Sequence, residues 1–155
     1  MKGSWLAMTE QMPLGSKLAH NIGLIVLASQ DLEANLKLVV AASENTDKGS
    51  LIDRHKKLER RALGVVVARF LGNVTVTEGS ASDLEAYFSS LLDRRNKVVH
   101  HFNETYGEDI RAGRHKDVLT SLAQLYGELR EVAGSFKSIN QAMLESLEQE
   151  PPLAS

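Results

Sequence analysis

The sequence of 155 residues contains no cysteine. That excludes a disulfide framework, a thiol nucleophile and a thiolate zinc site, and it fits a reducing compartment. Proline is almost as scarce. Pro13, Pro151 and Pro152 are the only three, so the strongest helix breaker is absent from positions 14 to 150. No run approaches the roughly 18 consecutive apolar residues that a membrane span needs. The start, Met1 to Trp5, leads into no long apolar segment, so no signal peptide is expected. The formal charge of -2 excludes a polybasic wrapper of nucleic acid and confines any polyanion binding to a local patch. Also missing are a Gly-rich phosphate loop ending in Lys-Ser/Thr, a nucleophile elbow and a His-Glu-x-x-His pair. The histidines at 20, 55, 100, 101 and 115 supply no pair four apart on one helix, so neither a metal site nor a cofactor is expected. These absences leave a cytoplasmic, all-helical, single-domain protein with no membrane association.

What is present is helical periodicity. After an N-terminal arm, 1–15, with room for a short extra helix, Ile22, Ile25, Val26, Leu32, Leu36, Val39 and Val40 recur at helical spacing, predicting helix one over 16–43 with Ser16 as its cap. A polar turn at 44–50 leads to helix two over 51–71, with Ser50 and Asp53 at its start. Val74 to Thr77 reads as loop. Ser82 and Glu85 are spaced as a capping box for helix three, whose apolar stripe runs through Leu84, Tyr87, Phe88, Leu91, Val98, Val99 and Phe102. A polar connection, 103–114, precedes the last helix, 115–148. Its residues Val118, Leu122, Leu125, Leu129, Val132, Phe136, Ile139 and Met143 form a near-heptad stripe, with Gly127 and Gly134 as places for a bend or close contact. A tail, 149–155, follows. The expected architecture is an up-and-down four-helix bundle over 16–148.

Against this background Leu91 to Phe102 stands out, with Arg94, Arg95, Asn96, Lys97, His100 and His101 inside eight positions. At roughly 100° per residue, Arg95 falls within the apolar stripe of helix three and Glu33 within that of helix one. An unpaired buried charge is costly, so a Glu33–Arg95 contact is expected. The segment 54–61 is the single basic run, and Arg54, Lys56, Lys57, Arg60 and Arg61 are either a solvated face or an RNA-contacting patch. Histidine exchanges protons near neutral pH, and arginine holds phosphate through charge and paired donors. Together they suffice for RNA cleavage through a 2′,3′-cyclic phosphate.

Arg95-Asn96-Lys97-Val98-Val99-His100, followed by His101-Phe102, resembles the Arg-x(4–6)-His motif of the HEPN domains (higher eukaryotes and prokaryotes nucleotide-binding), in its Arg-Asn-x-x-x-His form. The resemblance implies a compact HEPN-like helical bundle and a metal-independent endoribonuclease, of the kind that serves as a toxin or a stress or phage defence effector. It also implies a homodimer, an RNA substrate and, as a separate protein, an antitoxin or nucleotidyltransferase partner. Carried over, Arg95 stabilises the scissile phosphate, Asn96 orients the site and His100 is the general acid or base. Glu33, or less favourably Asp31, supports the arginine. Five helical steps set Arg95 and His100 roughly 140° apart on an ideal helix, so Arg94 with His101, seven apart, is a second candidate pair. The alternative is a non-catalytic interaction or dimerisation module in which Glu33–Arg95 is a buried structural lock.

Overall fold

The structure, a computed structural model, describes residues 12–44, 47, 49–75 and 79–149. Most of the expected arm, and residues 150–155 of the expected tail, lie outside them. Six helices occur among the described residues: α1 Leu14–Ser43, α2 Leu51–Leu58, α3 Leu63–Asn73, α4 Ala81–His100, α5 Phe102–Arg111 and α6 His115–Gln149. The all-α expectation holds, while the count of four does not.

Two departures account for the difference. The expected helix two is a pair, α2 and α3, broken at 59–62. Ala62 is extended, at φ -66° and ψ 151°, and tight turns close Glu59 N–H onto Lys56 O and Arg61 N–H onto Leu58 O. The phase of the apolar residues explains the break. Leu58 is buried and so are Leu63, Val66 and Val67, but five steps from Leu58 to Leu63 shift the stripe by roughly 140° on one continuous helix. The chain keeps both faces buried by turning. The second departure is α5, which forms within the expected polar connection and carries no fully buried residue. It ends at Gly113, whose φ of 80° lets Arg114 N–H reach Asp109 O at 2.8 Å and Gly113 N–H reach Ile110 O at 3.1 Å.

The extra turn also reverses the chain direction of everything after it. Arg54 of α2 lies against Ala41 of α1 and Lys37 against Glu59, so α2 runs antiparallel to α1. The Arg69–Glu44 ion pair at 3.5 Å then shows α3 running parallel to α1. The long helices α1 and α6 make the most extensive contact in the fold. They too are parallel, since Leu27 and Asp31 share a cleft with Tyr126 and Arg130, and Asn35 O accepts from Asn140 Nδ2 at 3.0 Å. In the expected up-and-down bundle the first and last helices would be antiparallel.

The core is one cluster, with Ile25, Leu32 and Leu36 from α1, Leu58 from α2, Val66 from α3, Leu91 and Val98 from α4, and Leu122, Leu125 and Leu129 from α6. Burial of each such side chain contributes roughly 1.5–3 kcal/mol. Phe70, Phe88 and Phe136 close one end edge to face, with centroids 5.0 Å apart for Phe70–Phe136 and 5.8 Å for Phe70–Phe88. On α6 the stripe follows a straight helix: after Leu129 the buried residues are Ala133, Phe136 and Asn140, while Ile139 is 44% exposed. A Cβ at Gly127 or Gly134 would meet nothing within 4 Å, so neither marks a close contact. Helix α1 starts after Pro13 without a side-chain cap, so Ser16 does not cap it. Helix α4 is capped by Ser80, whose hydroxyl accepts from Ser82 N–H, instead of by Ser82.

Candidate functional site

Because α3 and α4 run antiparallel, the start of α3 lies beside the end of α4. Between them is a cavity of about 450 Å³ lined by Ala62, Leu63, Gly64 and Val65 on one side and Leu92, Arg95, Asn96, His100 and His101 on the other. A second cavity of about 270 Å³ adjoins it at the α4–α5 junction, sharing His100 and His101 and adding Glu104.

Arg95, Asn96 and His100 converge there despite the angular separation on the helix wheel, because the long guanidinium stem reaches round. Arg95 Nη1 donates to Asn96 Oδ1 at 3.0 Å and lies 3.5 Å from His100 Nε2. Its Nε is buried without a hydrogen-bond partner. No carboxylate lies within ion-pair distance of Arg95 among the described residues, whereas Arg69, Arg94 and Arg114 each face one. A partly buried guanidinium that lines a cavity with no counter-charge beside it can take an anion there. The facing N-terminus of α3 has no side-chain cap and contributes further partial positive charge. His100 is exposed. Guanidinium only donates, so Nε2 accepts from it in the tautomer that carries the ring hydrogen on Nδ1.

The expected support from Glu33 does not form. Its Oε1 lies 2.6 Å from Lys37 Nζ, one turn along the same helix, and that local partner satisfies the carboxylate without a second helix. Asp31 is likewise spent locally, its Oδ1 accepting from Asn35 Nδ2 at 3.2 Å. The buried Glu33–Arg95 lock is therefore overturned. The Arg94–His101 pair is overturned too. Arg94 forks onto Glu128 of α6, at 2.9 Å and 2.5 Å, and this hydrogen-bonded pairing raises the Arg94 pKa and lowers that of Glu128. His101 Nδ1 lies 3.1 Å from Glu104 Oε2.

Of the basic run, Arg54 is buried and structural. Its Nε donates to Ala41 O at 2.7 Å and its Nη1 donates to Gly49 O, so it cannot contact RNA. Lys56, Lys57, Arg60 and Arg61 are exposed. The α2–α3 turn carries Arg60 and Arg61 directly ahead of Ala62 at the cavity wall. Lys97, beside the motif, is engaged by Asp93 at 2.7 Å, and this hydrogen-bonded pair raises the lysine pKa.

Glu104 and the cavity wall 62–65 escaped the sequence reading. His101 and Glu104 stand three apart across a helix start, a spacing that brings side chains together, so that pair was findable. The wall depends on the α2–α3 turn. Among the described residues no group of three or more histidine or acidic side chains could hold a metal ion, and no helix is long and apolar enough to cross a membrane. Comparison with known proteins returned no matching family model, no matching curated protein and no matching solved structure.

Proposed function

We propose that this chain is a metal-independent endoribonuclease of the kind the HEPN resemblance implies, acting on RNA and working as a homodimer. Arg95 would hold the scissile phosphate and stabilise the charge that builds on its oxygens, Asn96 would steady the guanidinium, and His100 would take the proton from the ribose 2′-hydroxyl. The observation that carries this reading is Arg95 itself. It lines a cavity with His100, has an unused buried donor and faces no carboxylate among the described residues. The structural arginines are fully engaged, Arg94 by Glu128 and Arg54 by two backbone carbonyls.

The alternative, a non-catalytic interaction or dimerisation module, loses its Glu33–Arg95 lock, because Glu33 is bound to Lys37. The test is incubation of the purified protein with RNA in excess chelator, beside Arg95→Ala and His100→Ala variants of unchanged helical content. Cleavage leaving 2′,3′-cyclic phosphate ends, reduced about 100-fold or more in each variant, is the expected result. An intact RNA pool in the wild-type reaction would refute the proposal.

A further inference from the structure

Cleavage by a 2′-hydroxyl requires two proton transfers: one off the attacking oxygen and one onto the departing 5′-oxygen. The site described above supplies only the first. We infer that His101, held by Glu104, is the general acid that supplies the second, so that each protomer carries its own acid–base pair. This inference rests on the endoribonuclease reading.

Three observations carry it. His100 and His101 line the same two adjoining cavities, so one ligand can meet both. Their ring centroids are 6.4 Å apart at an interplanar angle of 73°. That is too far for a bond between the rings but close enough to bracket one phosphate, given hydrogen-bond reach of about 3 Å on either side. Their partners also differ in charge. His100 Nε2 faces a guanidinium, which only donates, so that nitrogen presents a lone pair. His101 Nδ1 faces the Glu104 carboxylate at 3.1 Å. The carboxylate only accepts, so Nδ1 carries the hydrogen between them and Glu104 is a positioning residue that orients the ring; the acid step requires a second proton, on Nε2. His101 sits at the backbone turn between α4 and α5, with φ -131° and ψ 30°.

The step balances without a co-reactant. The O2′–P bond forms as the P–O5′ bond breaks. The 2′-hydroxyl proton passes to His100 Nε2, and a proton from His101 Nε2 passes to O5′. The products are a 2′,3′-cyclic phosphate and a 5′-hydroxyl end, and the two imidazoles exchange protons with solvent to reset.

The test compares an oligoribonucleotide that the wild type cleaves with the same oligonucleotide carrying sulfur in place of the bridging O5′ at the cleaved linkage. A thiolate leaves without protonation, since a thiol has a pKa of about 8.5, far below that of an alcohol. His101→Ala is expected to cleave the all-oxygen RNA about 100-fold more slowly than wild type, yet the sulfur-bridged RNA within about threefold of it. Glu104→Gln should show the same pattern with a loss of about tenfold. His100→Ala should be slow on both. His101→Gln, which keeps a polar side chain at the junction, serves as the second variant, and retained cleavage of the sulfur-bridged RNA itself reports a folded site. If the folded His101 variants lose both substrates equally, or neither, His101 is not the acid and the inference falls while the endoribonuclease reading stands. A wild type that cuts neither substrate removes both.

Discussion

Lys37 of α1 donates from one Nζ to Glu33 Oε1 at 2.6 Å and to the carbonyl oxygen of Glu59 at 2.9 Å. A buried ammonium needs a counter-charge and several acceptors, and these two partners supply both. The second one closes the C-terminal end of α2, at the point where the chain turns back towards the cavity. Lys37→Met should therefore lower stability by about 1–3 kcal/mol, because the Glu59 carbonyl loses its charged donor. The check is a urea unfolding curve whose midpoint falls at constant slope. A midpoint equal to wild type would show that the turn holds without Lys37.

Arg54 makes a sharper case. Arg54→Met removes the donor that joins Ala41 O to Gly49 O and should cost roughly 1–3 kcal/mol, since the buried Ala41 carbonyl loses a charged partner. Exposed Lys56 and Lys57 should tolerate reversal to glutamate within about 0.5 kcal/mol. Thermal unfolding of the two variants side by side separates the structural arginine from the surface lysines.

RNA affinity should depend on the exposed bases instead. Arg60 and Arg61 directly precede the cavity wall at Ala62, and Lys56 and Lys57 lie further along the same run. On the endoribonuclease reading, Arg60→Ala with Arg61→Ala should weaken binding of single-stranded RNA and reduce the salt slope by about 0.7 for each phosphate that the protein no longer neutralises. Lys56→Glu with Lys57→Glu should weaken it less. Titration at several salt concentrations, with the catalytic His100→Ala variant as background, measures both. Unchanged slopes would place the RNA path elsewhere.

The Arg94–Glu128 fork predicts a pH dependence of stability. Arg94 holds the Glu128 carboxyl below its ordinary value of 4.5, chiefly through the side-chain hydrogen bond. A carboxylate whose folded pKa is depressed adds stability that is present above the unfolded value and lost as pH falls through the folded one. Both side chains are about one-third exposed, at 37% and 35%, so the contribution should stay at or below about 1 kcal/mol. Wild type should be more stable than Glu128→Gln at pH 7, and the difference should shrink below pH 4.5. Urea midpoints for both proteins across that range decide it.

The reading of individual residues succeeded where local physics settles the outcome and failed where a partner does. The α1 stripe, the bounds of α6 and the late-helix placement of Arg95 and His100 follow from apolar spacing, because burial of a helix face depends on its own period. Mid-stripe positions on two helices point Glu33 to Arg95. The wheel angle said that Glu33 needed a cation, but Lys37, one turn away on the same helix, reaches it first. Arg54 was counted among solvent-facing bases because its neighbours are basic, although its long stem turns inward to two backbone carbonyls.

That the chain is helical throughout its described core follows from its amino-acid order. The reasons are the absence of internal proline and the recurrence of apolar residues at a period near 3.6. The same order makes Arg95, Asn96 and His100 travel together, since they lie within six residues of one helix. Tertiary packing was needed to set the turn at 59–62, the parallel sense of α1 and α6, and the cavity that faces Arg95. These depend on where a carbonyl of Glu59 finds a buried ammonium and on which faces of separate helices can be buried at once. Those are contacts between residues distant in the chain, and the period of a single segment does not encode them.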